Sequence, residues 1–236
     1  MPKYCIYIFI LVSTLINFTV NDSLPFNTMD SSDVSLNNIQ EQVYLIENDL
    51  ENIIIKYPQI IDMNNANKNA LINELIKGNA LKSLSFYNTE TDLYSLDISY
   101  KIELYTTELI SIVFSGVGYV KDGAYPNRIF YTVNIDLNKC KVLVLTDRIN
   151  INTSFIEELI KPNTEYDEYK NHQLNYLENL NQDDLIKWLQ DTDKSSGFYS
   201  YYTKDSLGIS FPIPHSIGDH VELEISYDVL ESLLLW

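Results

Sequence analysis

The sequence predicts an α+β fold, in which helices pack on one face of an antiparallel β-sheet. The main observation is a regular alternation of apolar and polar residues in three central runs, 93–106, 108–120 and 128–137. Successive side chains of a strand point to opposite faces, so this period indicates antiparallel strands with one covered face. A second observation is the helical spacing of apolar residues over 64–81, which adds a helix to these strands.

Capping and turn residues place the remaining elements. Asn64 or Asn65 can accept hydrogen bonds at the start of the first helix, and Gly78 is expected to mark its end. The polar, acidic and tyrosine-rich stretch 161–181 is expected to be a solvent-exposed insertion, with partly helical structure as an alternative. Further predicted elements are strands at 52–56, 141–145, 198–203, 207–213 and 221–227, and helices at 154–160 and 183–190.

The loop 121–127 separates the second and third central strands and is the first candidate binding region. Its candidate residues are Asp122, Gly123, Ala124, Tyr125 and Pro126. Gly123 is expected to supply a positive φ, and Pro126 is expected to make the loop rigid.

The tyrosines of the strand 198–203 are the second candidate region, and they are Tyr199, Tyr201 and Tyr202. Tyrosine offers a large contact area with a polar tip, which suits protein interfaces and stacking on sugars. The alternative is that these are ordinary core aromatics, because aromatic residues are common in strands.

Residues 1–22 predict a signal peptide or an N-terminal anchor. Lys3 precedes the apolar run 5–20, which is short for a membrane span and contains polar residues such as Asn17. No Ala-x-Ala pattern marks a cleavage site, so the anchor remains an alternative. Residues 23–42 are predicted to form a linker, and residues 43–236 are predicted to form a single domain. We therefore expect an extracytoplasmic protein, secreted or held at the membrane by its leader.

The charge of the chain restricts its partners. The formal net charge is −17 at pH 7, which argues against nucleic acid and against anionic lipid surfaces, because both require Lys and Arg. Such a charge favours a cationic partner through long-range attraction. The alternative is that it only keeps the protein soluble.

A hydrophobic content of 45% is enough for a real core.

No enzyme signature is evident. The three histidines, His172, His215 and His220, lack metal-ligand spacing, so neither a metal nor a cofactor is expected, and the last two should face solvent. The acid pairs 157–158 and 183–184 are explained by helix first turns. The sequence lacks Gly-x-Ser-x-Gly, P-loop and dinucleotide motifs. The chain is therefore predicted not to be an enzyme, with an undetected cell-wall hydrolase as an alternative.

Cys140 is expected to be a half-buried small residue in the turn after the third central strand, rather than a reactive thiol. The other cysteine, Cys5, belongs to the predicted leader. No internal disulfide is therefore expected, and the domain must be stabilised by its core alone.

The order of several short motifs resembles the extracytoplasmic domain of the RsiV type. This broad bacterial family of unknown function is also found beside the deacetylase domain of PdaC-like proteins. The motifs are 57–60, 72–73, 97–114, 123–126, 134–136, 198–202, 205–211 and 221–230. The resemblance implies an α+β fold and an extracellular binding or accessory role. Its best understood members bind lysozyme, which is usually cationic.

Two departures from the family pattern limit what the resemblance implies. The family loop often reads Gly-Gly-Ala-His, whereas this chain has Asp122-Gly123-Ala124-Tyr125. In addition, only residues 1–4 precede the apolar run, so we do not expect this chain to hold a sigma factor. The expectation is a non-enzymatic envelope domain that binds a cationic protein such as lysozyme. The main alternative is an accessory domain that binds peptidoglycan or another wall glycan.

Overall fold

The computed structural model describes residues 38–47, 52–61, 65–87, 94–161, 167–194 and 197–231. It confirms the α+β class, with a mostly antiparallel set of strands and helices packed on them. The larger sheet has six strands in the order β1 (Ile39–Glu47), β2 (Asn52–Ile60), β3 (Tyr94–Tyr105), β4 (Leu109–Val120), β5 (Asn127–Asp136) and β6 (Lys141–Leu143).

Neighbouring strands of the larger sheet are antiparallel, except for β2 and β3, which are parallel and pair Ile55 with Ile98. Helix α1 (Ala66–Ala80) lies in the connection between these two strands, as parallel pairing requires a long crossover. Asn65 caps α1 by accepting the Lys68 N–H at 3.1 Å.

A second sheet of three antiparallel strands follows later in the chain. It contains β7 (Tyr199–Tyr202), β8 (Ser206–Pro212) and β9 (His220–Ser226). The remaining helices are α2 (Thr153–Leu159), α3 (Glu168–Glu178), α4 (Gln182–Gln190) and α5 (Tyr227–Leu230). None of the helices within the described ranges is long and apolar enough to cross a membrane.

Two hydrophobic cores hold these layers together. In the first, Ile72 and Ile76 of α1 pack with Ile55, Ile98 and Phe114 of the larger sheet. The second core joins helices α2 to α4 to the inner face of the smaller sheet and to one end of the larger sheet; its members include Phe155, Leu189, Leu207, Ile209 and Phe211. Burial of such side chains is the dominant stabilising term.

A buried polar network joins the two sheets. The Thr132 hydroxyl and the Asn134 amide of β5 donate to the Ser200 carbonyl of β7 at 2.5 and 2.9 Å. The Tyr202 N–H donates to the Ser111 hydroxyl of β4 at 2.9 Å. Directional bonds of this kind fix β7 in one register against the larger sheet.

The structure corrects three local expectations. Strand β1 was not predicted and begins at Ile39, within the segment expected to be a linker; residues 1–37 lie outside the described residues. Gly78 lies within α1, which continues to Ala80. The stretch 161–181 is not simply an exposed insertion, because α3 buries Leu174 and Leu177 in the second core.

Candidate binding cleft

A pocket of about 340 Å³ opens between the two sheets. Its walls come from β5, from all three strands of the smaller sheet, and from the 3-10 turn that follows α1. The alternation in β8 explains why the smaller sheet has a cleft face. Leu207, Ile209 and Phe211 point into the second core, so Gly208 and Ser210 are left on the opposite side.

Aromatic side chains form much of the pocket wall. They are Phe86, Tyr87, Phe130 and Tyr199, which come from three separate parts of the chain. The Tyr87 ring stacks on Tyr94 with centroids 4.9 Å apart, and the Phe130 ring lies 5.1 Å from that of His220. These contacts hold the rings in place before any ligand arrives.

Lys82 lies beside this aromatic wall. Its Nζ is 4.3 Å from the centroid of the Tyr199 ring and 5.5 Å from that of Tyr131, within the range of a cation–π contact. Burial lowers the pKa of Lys82 to about 8, and the negative charge of Asp193 acts against that shift.

Asp219 organises the polar side of the pocket. Its Oδ2 accepts the Arg128 N–H at 2.7 Å, and its Oδ1 lies 2.7 Å from Nδ1 of His215. Asp219 has a positive φ of 70°, which a short polar side chain tolerates. The carboxylate thus ties the loop between β8 and β9 to the start of β5.

His220 also lines the pocket, and its two ring nitrogens differ. Nε2 lies 2.9 Å from Oε1 of Glu222. Nδ1 is buried and has no hydrogen-bond partner among the described residues. A buried polar atom without a partner is uncommon in folded proteins and calls for an explanation.

A second pocket, of about 590 Å³, lies next to the first and shares Phe130 with it. We call it the acidic groove, because Glu103, Glu222 and Glu224 line it together with two lysines, Lys101 and Lys170. The Tyr201 hydroxyl donates to Oε1 of Glu224 at 3.0 Å. Burial opposes ionisation of Glu222, but the His220 hydrogen bond and nearby positive charge outweigh it and lower its pKa.

The predicted loop residues Asp122 to Pro126 do not line the first pocket themselves, but they directly precede Asn127, which does. Tyr125 is 70% exposed, and its ring lies 5.9 Å from that of His215. The positive φ of this loop belongs to Asp122, at 65°, and not to Gly123. Gly123 is needed for a different reason, because a Cβ there would lie 2.8 Å from the Val120 carbonyl oxygen.

The predicted tyrosines have three different environments. Tyr199 lines the first pocket, and Tyr201 lines the acidic groove although it is only 6% exposed. Tyr202 points to the opposite face of β7 and is part of the second core. We therefore remove Tyr202 from the candidate binding residues.

Several cleft residues were not singled out from the sequence. His220 was expected to face solvent, but it lies on the cleft face of β9 with Glu222 and Glu224. The alternating sequence of 220–226 does indicate this polar face. Asp219 and Lys82 could not be found in the same way, because their partners are far away in the chain. Within the described ranges, no group of three potential ligands could hold a metal ion.

Cys140 is half-buried and has a positive φ of 49°. Its Sγ lies 3.8 Å from the Leu137 carbonyl oxygen. The residue belongs to the turn between β5 and β6, away from both pockets.

The solved structures that resemble this chain include two DUF3298 family proteins. A member of the DUF3298 family from Bacteroides fragilis has a TM-score of 0.50 and 14% identity, covering 84% of this chain and 94% of that chain. A DUF3298 family protein from Pseudomonas aeruginosa has a TM-score of 0.49 and 14% identity, covering 84% and 92%. At this identity the likeness to the Bacteroides protein shows a shared fold only. No family model and no curated protein matches the chain.

Proposed function

We propose that this chain is an exported, non-enzymatic binding domain of the RsiV type, which recognises a cationic protein such as lysozyme at the bacterial cell envelope. The supporting observation is the acidic groove, in which three carboxylates outnumber two lysines on a chain with a net charge of −17. A cationic partner would be attracted over long range and oriented at contact. The shared fold with a DUF3298 protein is compatible with this proposal.

The groove can receive the side chain of a lysine or an arginine. Glu224 is exposed, and Glu222 is half-buried, with a side-chain exposure of 34%. Glu224 already accepts two hydrogen bonds from inside the protein, from the Tyr201 and Ser206 hydroxyls, and Glu222 accepts one from His220. A carboxylate has further lone pairs, so both can accept an additional donor from a partner. The internal bonds would hold them in place for it.

An export signal belongs to the same proposal. Residues 1–22 would act as a signal peptide or an anchor. The domain would then lie outside the cytoplasm, where it can encounter lysozyme. Processing of the leader is tested by determining the N-terminal residue of the protein recovered from the envelope and from the medium. An intact N-terminus in the membrane fraction indicates an anchor, and recovery only from the cytoplasm contradicts the proposal.

Titration calorimetry with a cationic lysozyme tests the binding. The double variant Glu222→Gln, Glu224→Gln removes two groove charges, and we expect it to weaken binding by more than about tenfold. Glu157→Gln with Glu178→Gln is the matched control, since it removes the same charge from exposed positions on α2 and α3. Equal weakening by both pairs would show that only net charge matters, which contradicts a specific groove.

A further inference from the structure

We infer that the first pocket, between the two sheets, is a binding site for an uncharged saccharide. This inference goes beyond the proposed function, because it concerns a different pocket and a different class of ligand. It rests on three features of the pocket, namely its aromatic wall, an unsatisfied hydrogen-bond acceptor and its balance of charge.

The aromatic wall fits one side of a sugar ring. A pocket of about 340 Å³ is at the lower end of the usual range for small-molecule sites. Phe86, Tyr87, Phe130 and Tyr199 all reach it. A pyranose presents apolar C–H faces and a rim of hydroxyls, so it can stack on such rings while its rim meets polar groups. Phe86 is 47% exposed, which leaves its ring available to a ligand.

His220 supplies an acceptor that a hydroxyl can satisfy. Nε2 lies 2.9 Å from the Glu222 carboxylate, so in the tautomer that carries its proton on Nε2 the second nitrogen, Nδ1, keeps a free lone pair. That nitrogen is buried and unpaired among the described residues. Leaving a buried polar group unpaired is unfavourable. A sugar hydroxyl that reached Nδ1 would pair with it, whereas a purely apolar ligand would not.

Charge favours a neutral ligand. Among the charged residues that line the pocket, the negative charge of Asp219 is set against the positive charge of Arg128. Asp219 is moreover already engaged by the Arg128 N–H and by His215. This balance differs from the neighbouring acidic groove, where three carboxylates face two lysines. The first pocket therefore lacks the excess charge that would select a strongly cationic or anionic ligand.

Saturation-transfer NMR with the purified protein tests the inference. The probes are two neutral saccharides, chitotriose and cellotriose. We expect saturation of sugar-ring protons by at least one of them. Two variants should weaken the affinity by about tenfold, the equivalent of one hydrogen bond or ring contact. Phe86→Ala removes an exposed ring. His220→Gln keeps a donor for Glu222 but removes the Nδ1 acceptor.

Tyr119→Ala is the matched control, because Tyr119 is 40% exposed but does not line the pocket. The Tyr119→Ala variant should bind the saccharide with the affinity of the wild type. Thermal unfolding should show that all three variants are folded. Lack of saturation transfer with both saccharides would overturn the inference, and so would equal weakening by Tyr119→Ala. Lysozyme binding by Phe86→Ala should be retained, so this inference and the proposed function can fail separately.

Discussion

Asp193 holds Ser200 through both of its carboxylate oxygens. Oδ1 accepts the Ser200 N–H at 2.7 Å, and Oδ2 accepts the Ser200 hydroxyl. Oδ2 also accepts the Leu145 N–H at 3.1 Å. Ser200 in turn receives the amide of Asn134 from the larger sheet. This one carboxylate therefore connects the turn after α4 to β7, the strand that places Tyr199 in the cleft.

The first prediction concerns Asp193→Asn. In asparagine, an NH₂ group takes the place of one carboxylate oxygen. This donor would face the N–H and O–H donors that the carboxylate now accepts. We expect the free energy of unfolding at pH 7 to fall by about 1–3 kcal/mol. Urea denaturation followed by circular dichroism measures this loss. Asp191→Asn, at an exposed neighbouring position, should change it by less than about 0.5 kcal/mol. An unchanged stability for Asp193→Asn would contradict the assigned role.

The second prediction concerns the pH dependence of the same group. Burial raises the pKa of Asp193 from 3.8 to about 6, against the opposing effect of the Ser200 hydrogen bonds. The folded state then binds this proton more tightly than the unfolded state. The part of its stabilising effect that depends on this proton is complete below pH 3.8 and is lost as the pH rises through about 6. The hydrogen bonds that the carboxylate accepts from Ser200 and Leu145 remain above that pH.

Denaturation of the wild type and of Asp193→Asn at several pH values between about 4 and 6 tests the direction of this pH dependence. The stability advantage of the wild type should narrow as the pH rises, by at most about 3 kcal/mol. Other titrating groups are common to both proteins and largely cancel in the difference. An advantage that widens with pH would show that the pKa of Asp193 is lowered instead.

The third prediction compares two buried tyrosine hydroxyls. The Tyr131 hydroxyl donates to the Ala80 carbonyl at 2.5 Å, whereas that of Tyr202 has no hydrogen-bond partner among the described residues. Tyr131→Phe should therefore destabilise the fold by about 1 kcal/mol, and Tyr202→Phe should be neutral or stabilising. Thermal unfolding of both variants gives the comparison. Equal destabilisation by the two would indicate that the Tyr202 hydroxyl has a partner in solution.

The fourth prediction uses two glycines with opposite surroundings. A Cβ at Gly116 in β4 would lie 1.9 Å from the Asp97 carbonyl oxygen, whereas at Gly78 in α1 it would meet nothing within 4 Å. Gly116→Ala should push β3 and β4 apart and destabilise the protein by more than about 2 kcal/mol. Gly78→Ala should stabilise it by about 0.5–1 kcal/mol. Chemical denaturation of the two variants measures both changes in the free energy of unfolding. Destabilisation by Gly78→Ala would contradict the open environment of that glycine.

Local sequence signals predicted much of the fold. Alternation placed β3, β4 and β5 to within a few residues, because one face of each strand is covered. The predicted cap at Asn65 is confirmed, and Asn152 and Asn181 cap α2 and α4 in the same way, since each side chain accepts a backbone N–H of the first helical turn. These features depend on neighbours in sequence, which is why the sequence alone reveals them.

Features that depend on distant pairing could not be predicted. The parallel pairing of β2 with β3 and the separation of the strands into two sheets are set by contacts across the chain. The cleft has the same origin, because Lys82 and Tyr199, or Arg128 and Asp219, are brought together only by the packed sheets. The burial of α3 was not predicted because its sequence is mostly polar, although Leu174 and Leu177 are fully covered.

The central claim is that the domain recognises a cationic protein through a shaped acidic interface. Calorimetric titration of a cationic lysozyme at low and at moderate salt tests it most directly. We expect saturable binding that weakens only modestly with salt, because buried or partly buried contacts are screened less than exposed charges. Binding that disappears at moderate salt, or that is absent at both, would contradict the claim.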